Sequence, residues 1–388
     1  RQLLFIGNFL GEYPHKKLLI DEVSQAKNPI YGLNQLPNFI RPFPDVFEWD
    51  LTMLKAVTKK YIDHTLLLDK REDYWLTDGL QTYLMMNYVS QYYPEIKLAG
   101  NISKIWGFRN FNFSKLKFND KYPFVYQYTA RQFLDQALNT RSDSLSNFNR
   151  KIAGKYKAGL GLRYLADYIG DTIISSSFKE FYKKNKLNFA KSESFKKIVS
   201  KKTSKDINWF FDEYLTTDKK IDYTIKKAVV LDDSVYVTIK NKRNITAPVA
   251  LYGLKNKQVK FKKWLTNIDS TTTVVIPKNG FNRVSLNFEN SYPEFNSMDN
   301  WKKVGKNILN KPIQFKLYKD INDPYYHQIY LQPNIKYNYY DGALLGLRIH
   351  NKPILSRNFQ FSITPQYGTK SNSLNGIFNT RYIQYFEN

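Results

Sequence analysis

The sequence predicts an α+β protein of several domains, in which a mostly helical part is followed by two sheet-forming parts. At 388 residues the chain is longer than a single hydrophobic core usually supports. Apolar residues recur at helical spacing over 51–215, whereas from Lys219 onward they alternate with polar residues at the strand period of two. We therefore expect a truncated strand-rich part at 1–50, helices at 51–217, a β-sandwich at 218–300 and further antiparallel strands at 301–388.

The composition limits the partners and chemistry of the chain. It has 59 Lys and Arg against 34 Asp and Glu, a formal net charge of +25, and no cysteine. The basic residues are scattered over helix ends and turns, so solvated lysines explain the charge better than a nucleic-acid partner does. Without cysteine, disulfides, thiol nucleophiles and Cys-based metal sites are excluded.

The first 50 residues predict strands. Leu3-Leu4-Phe5-Ile6 and Lys17-Leu18-Leu19-Ile20 are short apolar pieces of the kind that strands contain. The chain opens at Arg1 beside the first of these pieces, so we expect it to be part of a longer protein.

Two predicted helices carry the residues that point to a chemistry. In the first, over 51–62, Lys55 and Lys59 stand four residues apart and so project from one helix face. This is the spacing of a metal-binding pair, but both residues are cations. The second helix, predicted over 78–92, begins within the phrase Trp75-Leu76-Thr77-Asp78-Gly79-Leu80-Gln81-Thr82-Tyr83.

That phrase resembles the W-L-N-E-G-F-A-x-Y segment of the gluzincin metallopeptidases, the zinc aminopeptidases related to aminopeptidase N and leukotriene hydrolase. The resemblance implies a thermolysin-like, mostly helical catalytic-type domain in which Asp78 takes the place of the third zinc ligand. Along the family pattern, Lys55 and Lys59 then take the places of the two histidines of H-E-x-x-H, and Ala56 that of the general base. The sequence reads K-A-V-T-K where the family reads H-E-x-x-H.

These replacements argue against hydrolysis. Catalytic zinc needs donors with a free lone pair, and an ammonium has none to give. Ala56 cannot take a proton from a bound water, and His64 lies off the face that carries the lysines. No cofactor is therefore expected, although the family uses zinc. Two interpretations of Lys55 and Lys59 stay open: an ion-paired remnant beside Asp78, or a site for an acidic ligand.

Further segments extend the resemblance. Gly32 and Gln35 stand where the aminopeptidases carry G-x-M-E-N, whose glutamate binds the amino terminus of a substrate, so that charge is absent here. Tyr156 takes the place of the tyrosine that stabilises the oxyanion, although packing is a competing role in a chain with 30 tyrosines. Residues 206–215 resemble the end of the catalytic domain, and 93–155 read as an elaboration with a helix at about 129–138.

The C-terminal part predicts two sets of strands. Those of the β-sandwich are expected at 235–239, 249–252, 272–276 and 284–288. Those of the second set, at 313–318, 328–332, 359–363 and 377–383, alternate apolar with polar residues as outer-membrane β-barrel strands do, and an ordinary amphipathic sheet gives a similar pattern. The phrase Tyr339-Tyr340-Asp341-Gly342-Ala343-Leu344-Leu345-Gly346-Leu347-Arg348 resembles strand starts of bacterial surface-antigen barrels, which favours the start of a barrel.

These observations lead to an expected function. The chain is interpreted as an aminopeptidase-like pseudopeptidase of the bacterial periplasm or outer membrane, from an organism of the Bacteroides and Flavobacterium kind, that binds or scaffolds polypeptide. Its expected partners are a polypeptide or protein and, through the C-terminal strands, the outer membrane, with no nucleic acid. Two alternatives stay open: an active zinc aminopeptidase with an unrecognised metal site, and a purely structural extramembrane cap of a barrel.

Overall fold

The computed structural model describes residues 1–21, 29–33, 35–37, 41–305 and 310–386. The architecture is α+β with several sheets, as predicted. The longer helices are α1 Gln2–Leu10, α2 Asp45–Thr65, α3 Tyr74–Tyr92, α4 Lys121–Arg131, α5 Gly154–Ile169, α6 Asp171–Asn185 and α7 Ser192–Lys202. Within the described residues, no helix is both long enough and apolar enough to cross a membrane.

Helices α2 and α3 confirm the two helices predicted around the motif residues. The first turn of α2 carries Asp45 and Glu48, whose charge suits the positive end of a helix. Its buried face is formed by the apolar stripe that includes Leu51, Leu54 and Tyr61, so burial of one face holds this helix on the core.

Helices α3 and α5 approach each other through two glycines. A Cβ on Gly79 of α3 would lie 3.0 Å from the Cβ of Ala158, and a Cβ on Gly159 of α5 would lie 2.5 Å from the side chain of Thr82. The helix that carries the phrase at 75–83 therefore packs directly on the helix that carries Tyr156.

Three predictions in the N-terminal and central parts of the chain differ from the structure. Residues 3–6 lie in helix α1, because Ile6 and Leu10 are buried four residues apart while Leu3 and Leu4 are exposed. Residues 17–20 lie outside any strand. The helix predicted at about 129–138 is α4, which ends at Arg131, and Phe133 then adopts a left-handed φ of 54° that a helix cannot continue through.

The strands predicted for the β-sandwich are found, together with further strands, in two separate sheets. The strands are β3 Tyr223–Leu231, β4 Ser234–Asn241, β5 Val249–Lys255, β6 Gln258–Leu265, β7 Thr271–Pro277, β8 Arg283–Leu286 and β9 Trp301–Lys303, numbered after a short parallel pair, β1 Leu67–Leu68 and β2 Phe189–Ala190. One sheet has the order β3-β4-β7 and the other β6-β5-β8-β9. Each predicted strand is found, and β3, β6 and β9 were not predicted.

The C-terminal strands form one five-stranded sheet. They are β10 Ile313–Leu317, β11 His327–Asn338, β12 Gly342–His350, β13 Phe359–Gly368 and β14 Ser373–Tyr382, in that order. Neighbours pair antiparallel, as predicted, except that β10 pairs parallel to β11.

The polarity of this sheet is inverted relative to a soluble sheet. Along β13 the polar residues Gln360, Ser362, Thr364 and Gln366 are buried, whereas Phe359, Ile363 and Tyr367 are exposed. The apolar face of the sheet therefore faces outward.

Candidate functional site

The two lysines at the predicted ligand positions of α2 have different partners. The ammonium of Lys59 lies 2.8 Å from Asp63 Oδ2, one helical turn further on, and Lys70 reaches the same carboxylate at 3.2 Å. Lys55 instead donates a hydrogen bond of 2.8 Å to the carbonyl of Pro29. The backbone carbonyl of Lys55 accepts a 2.8 Å hydrogen bond from Gln81 Nε2, which ties α2 to α3.

Asp78, at the position of the third ligand, forms its ion pair with α5. Its Oδ2 lies 3.3 Å from the Nζ of Lys155, and both side chains are largely buried. In the described part of the chain it makes no ion pair with Lys55 or Lys59, so the predicted ion-paired remnant of those three residues does not form. Asp78 still acts on Lys55 at longer range, since its charge favours the protonated amine.

The loop that carries Gly32 and Gln35 is held by hydrogen bonds between the Gln35 side chain and the backbone of the same loop. Gln35 Oε1 accepts hydrogen bonds from the backbone N–H groups of Gly32 at 2.6 Å and Leu33 at 3.2 Å, and Gln35 Nε2 donates to the Ile30 carbonyl at 2.9 Å. Gly32 has a φ of 81°, a conformation that favours glycine. Gln35 thus stabilises a turn, while Asn34 lies outside the described residues.

Tyr156 lies in the first turns of α5, against an aromatic wall from α4. Its ring packs edge-on to that of Tyr122, with centroids 4.8 Å apart. Burial and the neighbouring Tyr31 raise the pKa of Tyr156 to about 12. Tyr31 belongs to the loop of Gly32 and Gln35, so the structure brings Tyr156 and that loop into one region.

Lys121, which opens α4, is the functional candidate that sequence reasoning missed. Its Nζ lies 3.8 Å from the ring centroid of Phe118, 5.1 Å from that of Tyr122 and 6.0 Å from that of Tyr156. No hydrogen bond or ion pair of its ammonium is found among the described residues. Burial, with a further contribution from the charge of Lys55, lowers the pKa of Lys121 to about 7.

Lys55, like Lys121, is affected by burial and by the charge of a neighbouring lysine. Burial, followed by the charge of Lys155, lowers its pKa to about 7, and Asp78 opposes the shift. We call the set of Lys55, Lys121, Lys155, Tyr156 and Asp78 the lysine–tyrosine cluster. It contains three amines against one carboxylate, so an anion is attracted to it more readily than a cation.

The residues present do not fit zinc. Ala56, at the position of the general base, is a half-buried alanine beside Lys55. A protonated lysine offers no lone pair to a metal, Lys59 is paired with Asp63, and the Nζ of Lys55 is bonded to the carbonyl of Pro29. Within the described ranges, no group of three or more His, Asp or Glu side chains is arranged to hold a metal ion.

A second ion cluster lies behind Tyr156. Lys157 and Lys220 both contact the carboxylate of Asp135, at 3.3 Å and 3.0 Å, and all three side chains are at most 4% exposed. Burial lowers the pKa of Lys157, although the charge of Asp135 opposes that shift. The lysine after the oxyanion position is therefore a buried structural residue.

A cavity of about 880 Å³ lies away from the lysine–tyrosine cluster, between α1, α2 and α6. Its walls include Tyr61 and Tyr182, and its rim includes Lys179 and Lys183. None of the site residues predicted from the sequence lines it.

Comparisons with known proteins give a distant structural likeness. No protein-family model and no curated protein matches the chain. Among solved structures, the crystal structure of Legionella pneumophila aminopeptidase A in complex with aspartic acid is similar, with 15% identity and a TM-score of 0.45. The likeness covers 65% of this chain and 27% of that one, so the chain spans about a quarter of that protein's length.

Proposed function

We propose that the chain is a non-hydrolytic, aminopeptidase-like module that binds polypeptide in the region of the lysine–tyrosine cluster, at the bacterial outer membrane. The observation that carries this proposal is the chemistry at the positions that correspond to the zinc site. Lys55, Lys59 and Asp78 are bonded to Pro29, Asp63 and Lys155 respectively, and Ala56 has no group that could act as a base.

Zinc content and peptidase activity test the loss of hydrolysis. The wild type is compared with a variant that carries Lys55→His, Ala56→Glu, Lys59→His and Asp78→Glu, using elemental analysis and a panel of aminoacyl-coumarin substrates. We expect a wild type without zinc or hydrolysis, and a variant that gains about one equivalent of zinc because it regains three ligands and a base.

The matched control places a histidine pair elsewhere at the same spacing. Lys179→His with Lys183→His on α6 creates exposed i,i+4 histidines without the rest of the site. This control should not gain tightly bound zinc. Stoichiometric zinc together with hydrolysis in the wild type would overturn the proposal in favour of an active aminopeptidase.

Binding of an unfolded polypeptide tests the positive part of the proposal. Fluorescein-labelled casein serves as the probe, and anisotropy as the measurement. Ala56→Trp should weaken binding because it adds bulk beside Lys55, whereas Val46→Trp on the exposed face of α2 should not. Equal binding by both variants would contradict the assignment of this region.

The inverted polarity of the C-terminal sheet supports the membrane part of the proposal. Strands β11 to β14 have 9 to 12 residues, close to the roughly 9–11 residues of a tilted strand that crosses a bilayer. Ile363 and Phe378, paired across β13 and β14, are both exposed. We assign lipid hydrocarbon as the occupant of this face, because buried polar residues on the opposite face are unusual in a soluble sheet.

Flotation with phosphatidylethanolamine–phosphatidylglycerol vesicles tests this assignment. Ile363→Asp with Phe378→Asp should reduce association, and Arg381→Ser on the other face of β14 should leave it unchanged. If the wild type does not float, or if both variants float equally, the assignment fails.

A structural cap is the second candidate, and one contact favours it. Lys121 comes from the 93–155 elaboration and lies against Tyr156, so it occupies part of the region that a ligand would enter. A cap should bind no casein in the experiment above, and its stability rather than its binding should depend on the cluster.

A further inference from the structure

We propose that Lys121, with Lys55 and the hydroxyl of Tyr156 beside it, forms a subsite for a carboxylate of the bound polypeptide. This inference rests on the proposed polypeptide binding and specifies the group that is recognised. The carboxylate can come from the C-terminus of the chain or from an acidic side chain, and both sources offer the same chemistry.

The first support is the isolation of Lys121. The residue is only 7% exposed, and no hydrogen bond or ion pair of its Nζ is found among the described residues. Buried cations are normally paired, because removal from water costs several kcal/mol that only a counter-charge or hydrogen bonds offset. Its aromatic neighbours attract a cation, but they do not accept its three N–H groups as a carboxylate would.

The second support is the charge around Lys121. Lys55 lies within range to disfavour protonation of Lys121, and Lys155 does the same to Lys55. Asp78 is the cluster's carboxylate, and it already pairs with Lys155. An added anion would relieve repulsion between these amines, whereas an added cation would increase it.

The third support is an available hydroxyl on the same side. Tyr156 is half-buried, and no hydrogen bond of its hydroxyl is found in the described part of the chain. Because its pKa lies at about 12, the phenol keeps its proton at neutral pH and can donate to an anion. A carboxylate could accept from Lys121 with one oxygen and from Tyr156 with the other.

The alternative role for Lys121 is packing alone. Its methylene chain covers Phe118 and Tyr122, and a methionine would do this without an unpaired charge. A purely packing role therefore predicts that Lys121→Met changes nothing in ligand preference, which makes the two roles separable.

Isothermal titration calorimetry at pH 7 with three N-acetylated tetrapeptides tests the proposal. The probes are Ala-Ala-Ala-Phe with a free carboxylate, the same peptide as its amide, and Ala-Asp-Ala-Phe as its amide. The proteins are the full chain, Lys121→Met, Lys121→Arg and the exposed control Lys151→Met. Thermal melts of each variant establish that it is folded.

We expect the full chain to bind one acid at least about tenfold more tightly than the plain amide, since charge-assisted bonds are the strong ones. The acid that is preferred identifies the source of the carboxylate. Lys121→Met should lose the preference, while Lys121→Arg and Lys151→Met should keep it. Binding should also take up protons in the full chain, so the enthalpy differs between Tris and phosphate buffers, and this difference should shrink in Lys121→Arg because arginine stays charged.

Three results would overturn the proposal. Equal binding of acids and amide by the full chain would remove the subsite but leave polypeptide binding in place. If Lys121→Met still binds the acidic peptide more tightly than the amide, the carboxylate is bound by residues other than Lys121. If none of the tetrapeptides binds but casein does, the carboxylate subsite is rejected while polypeptide binding stands. If casein does not bind either, both the subsite and the proposed polypeptide binding are rejected.

Discussion

Asp78 and Lys155 form an ion pair that joins α3 to α5, with Asp78 Oδ2 3.3 Å from Lys155 Nζ. The sequence resemblance predicts a metal ligand at Asp78, and in the structure this carboxylate is paired with a lysine of α5. The pair also lies near Lys55, whose charge Asp78 supports. Asp78 therefore makes a structural contact between α3 and α5.

Removing this carboxylate should destabilise the fold. Asp78→Asn leaves Lys155 without its partner, and we expect a loss of about 1–3 kcal/mol in the free energy of unfolding, as for hydrogen bonds to charged groups. Urea unfolding of Asp78→Asn, Lys155→Met and the double variant gives the coupling energy. Asp143→Asn, in an exposed pair with Arg141, is the control and should change the stability far less, because solvent screens this pair. Coupling near zero would mean that the pair is incidental.

The close approach of α3 and α5 predicts a large effect from a single methyl group. Gly159→Ala places a Cβ 2.5 Å from Thr82, so we expect about 1–3 kcal/mol of destabilisation from overpacking. Gly7→Ala in α1 is the matched control, because nothing lies within 4 Å of its added methyl group. That change should stabilise the protein by up to about 1 kcal/mol through helix propensity. Equal effects of both variants would show that the helices can separate without cost.

The sequence correctly predicts the helices and strands whose local pattern of apolar residues is long enough to distinguish a helix from a strand. Helix α2 follows from its apolar stripe, β4 from alternation of buried and exposed residues, and β5 from a run of apolar residues at 249–252 that are all buried. Residues 3–6 are too few to distinguish a strand from a helix turn, and burial of Ile6 and Leu10 against distant parts of the chain decides for helix.

The candidate site is predictable only in part, because contacts between residues far apart in the sequence form it. The motif spacing identifies Lys55, Lys59 and Asp78, but the partners of these residues come from other segments. Lys121 lies in a region without any motif, and its importance arises from three aromatic rings and from Lys55, 66 positions earlier in the numbering. No local sequence signal could have singled it out among 59 basic residues.

The buried cluster around Asp135 should be far more sensitive than any surface pair. Asp135→Asn leaves two buried ammonium groups, those of Lys157 and Lys220, without their counter-charge. We expect about 3–5 kcal/mol of destabilisation, the cost of breaking a buried ion pair from one side. Chemical unfolding measures it, with Asp143→Asn again as the exposed comparison. A loss under about 1 kcal/mol would mean that water reaches the lysines.

The depressed pKa of Lys121 predicts how stability depends on pH. The folded pKa is about 7 and the usual value is 10.5, so between these values the unfolded chain binds a proton that the folded chain does not. Stability should therefore rise with pH, by at most about 1.4 kcal/mol per pH unit from this one residue. The penalty of burying the charge is fully present below pH 7 and disappears above pH 10.5.

The window from pH 8 to 9.5 separates the buried lysines from the buried acids and tyrosines. Burial also lowers the pKa of Lys55 to about 7 and that of Lys311 to about 8, so both add a slope of the same sign, and the difference between the wild type and Lys121→Met gives the share of Lys121. Burial raises the pKa of Asp222 to about 7 and that of Glu294 to about 8, so both lower stability as pH rises but only up to about pH 8. Buried tyrosines, whose pKa is raised, destabilise the fold only above their usual value of 10. In urea unfolding across this window, Lys121→Met should show a smaller slope than the wild type, and greater stability at pH 7. The exposed variant Lys151→Met should match the wild-type slope, and a Lys121→Met slope equal to it would mean that Lys121 remains charged in the folded protein.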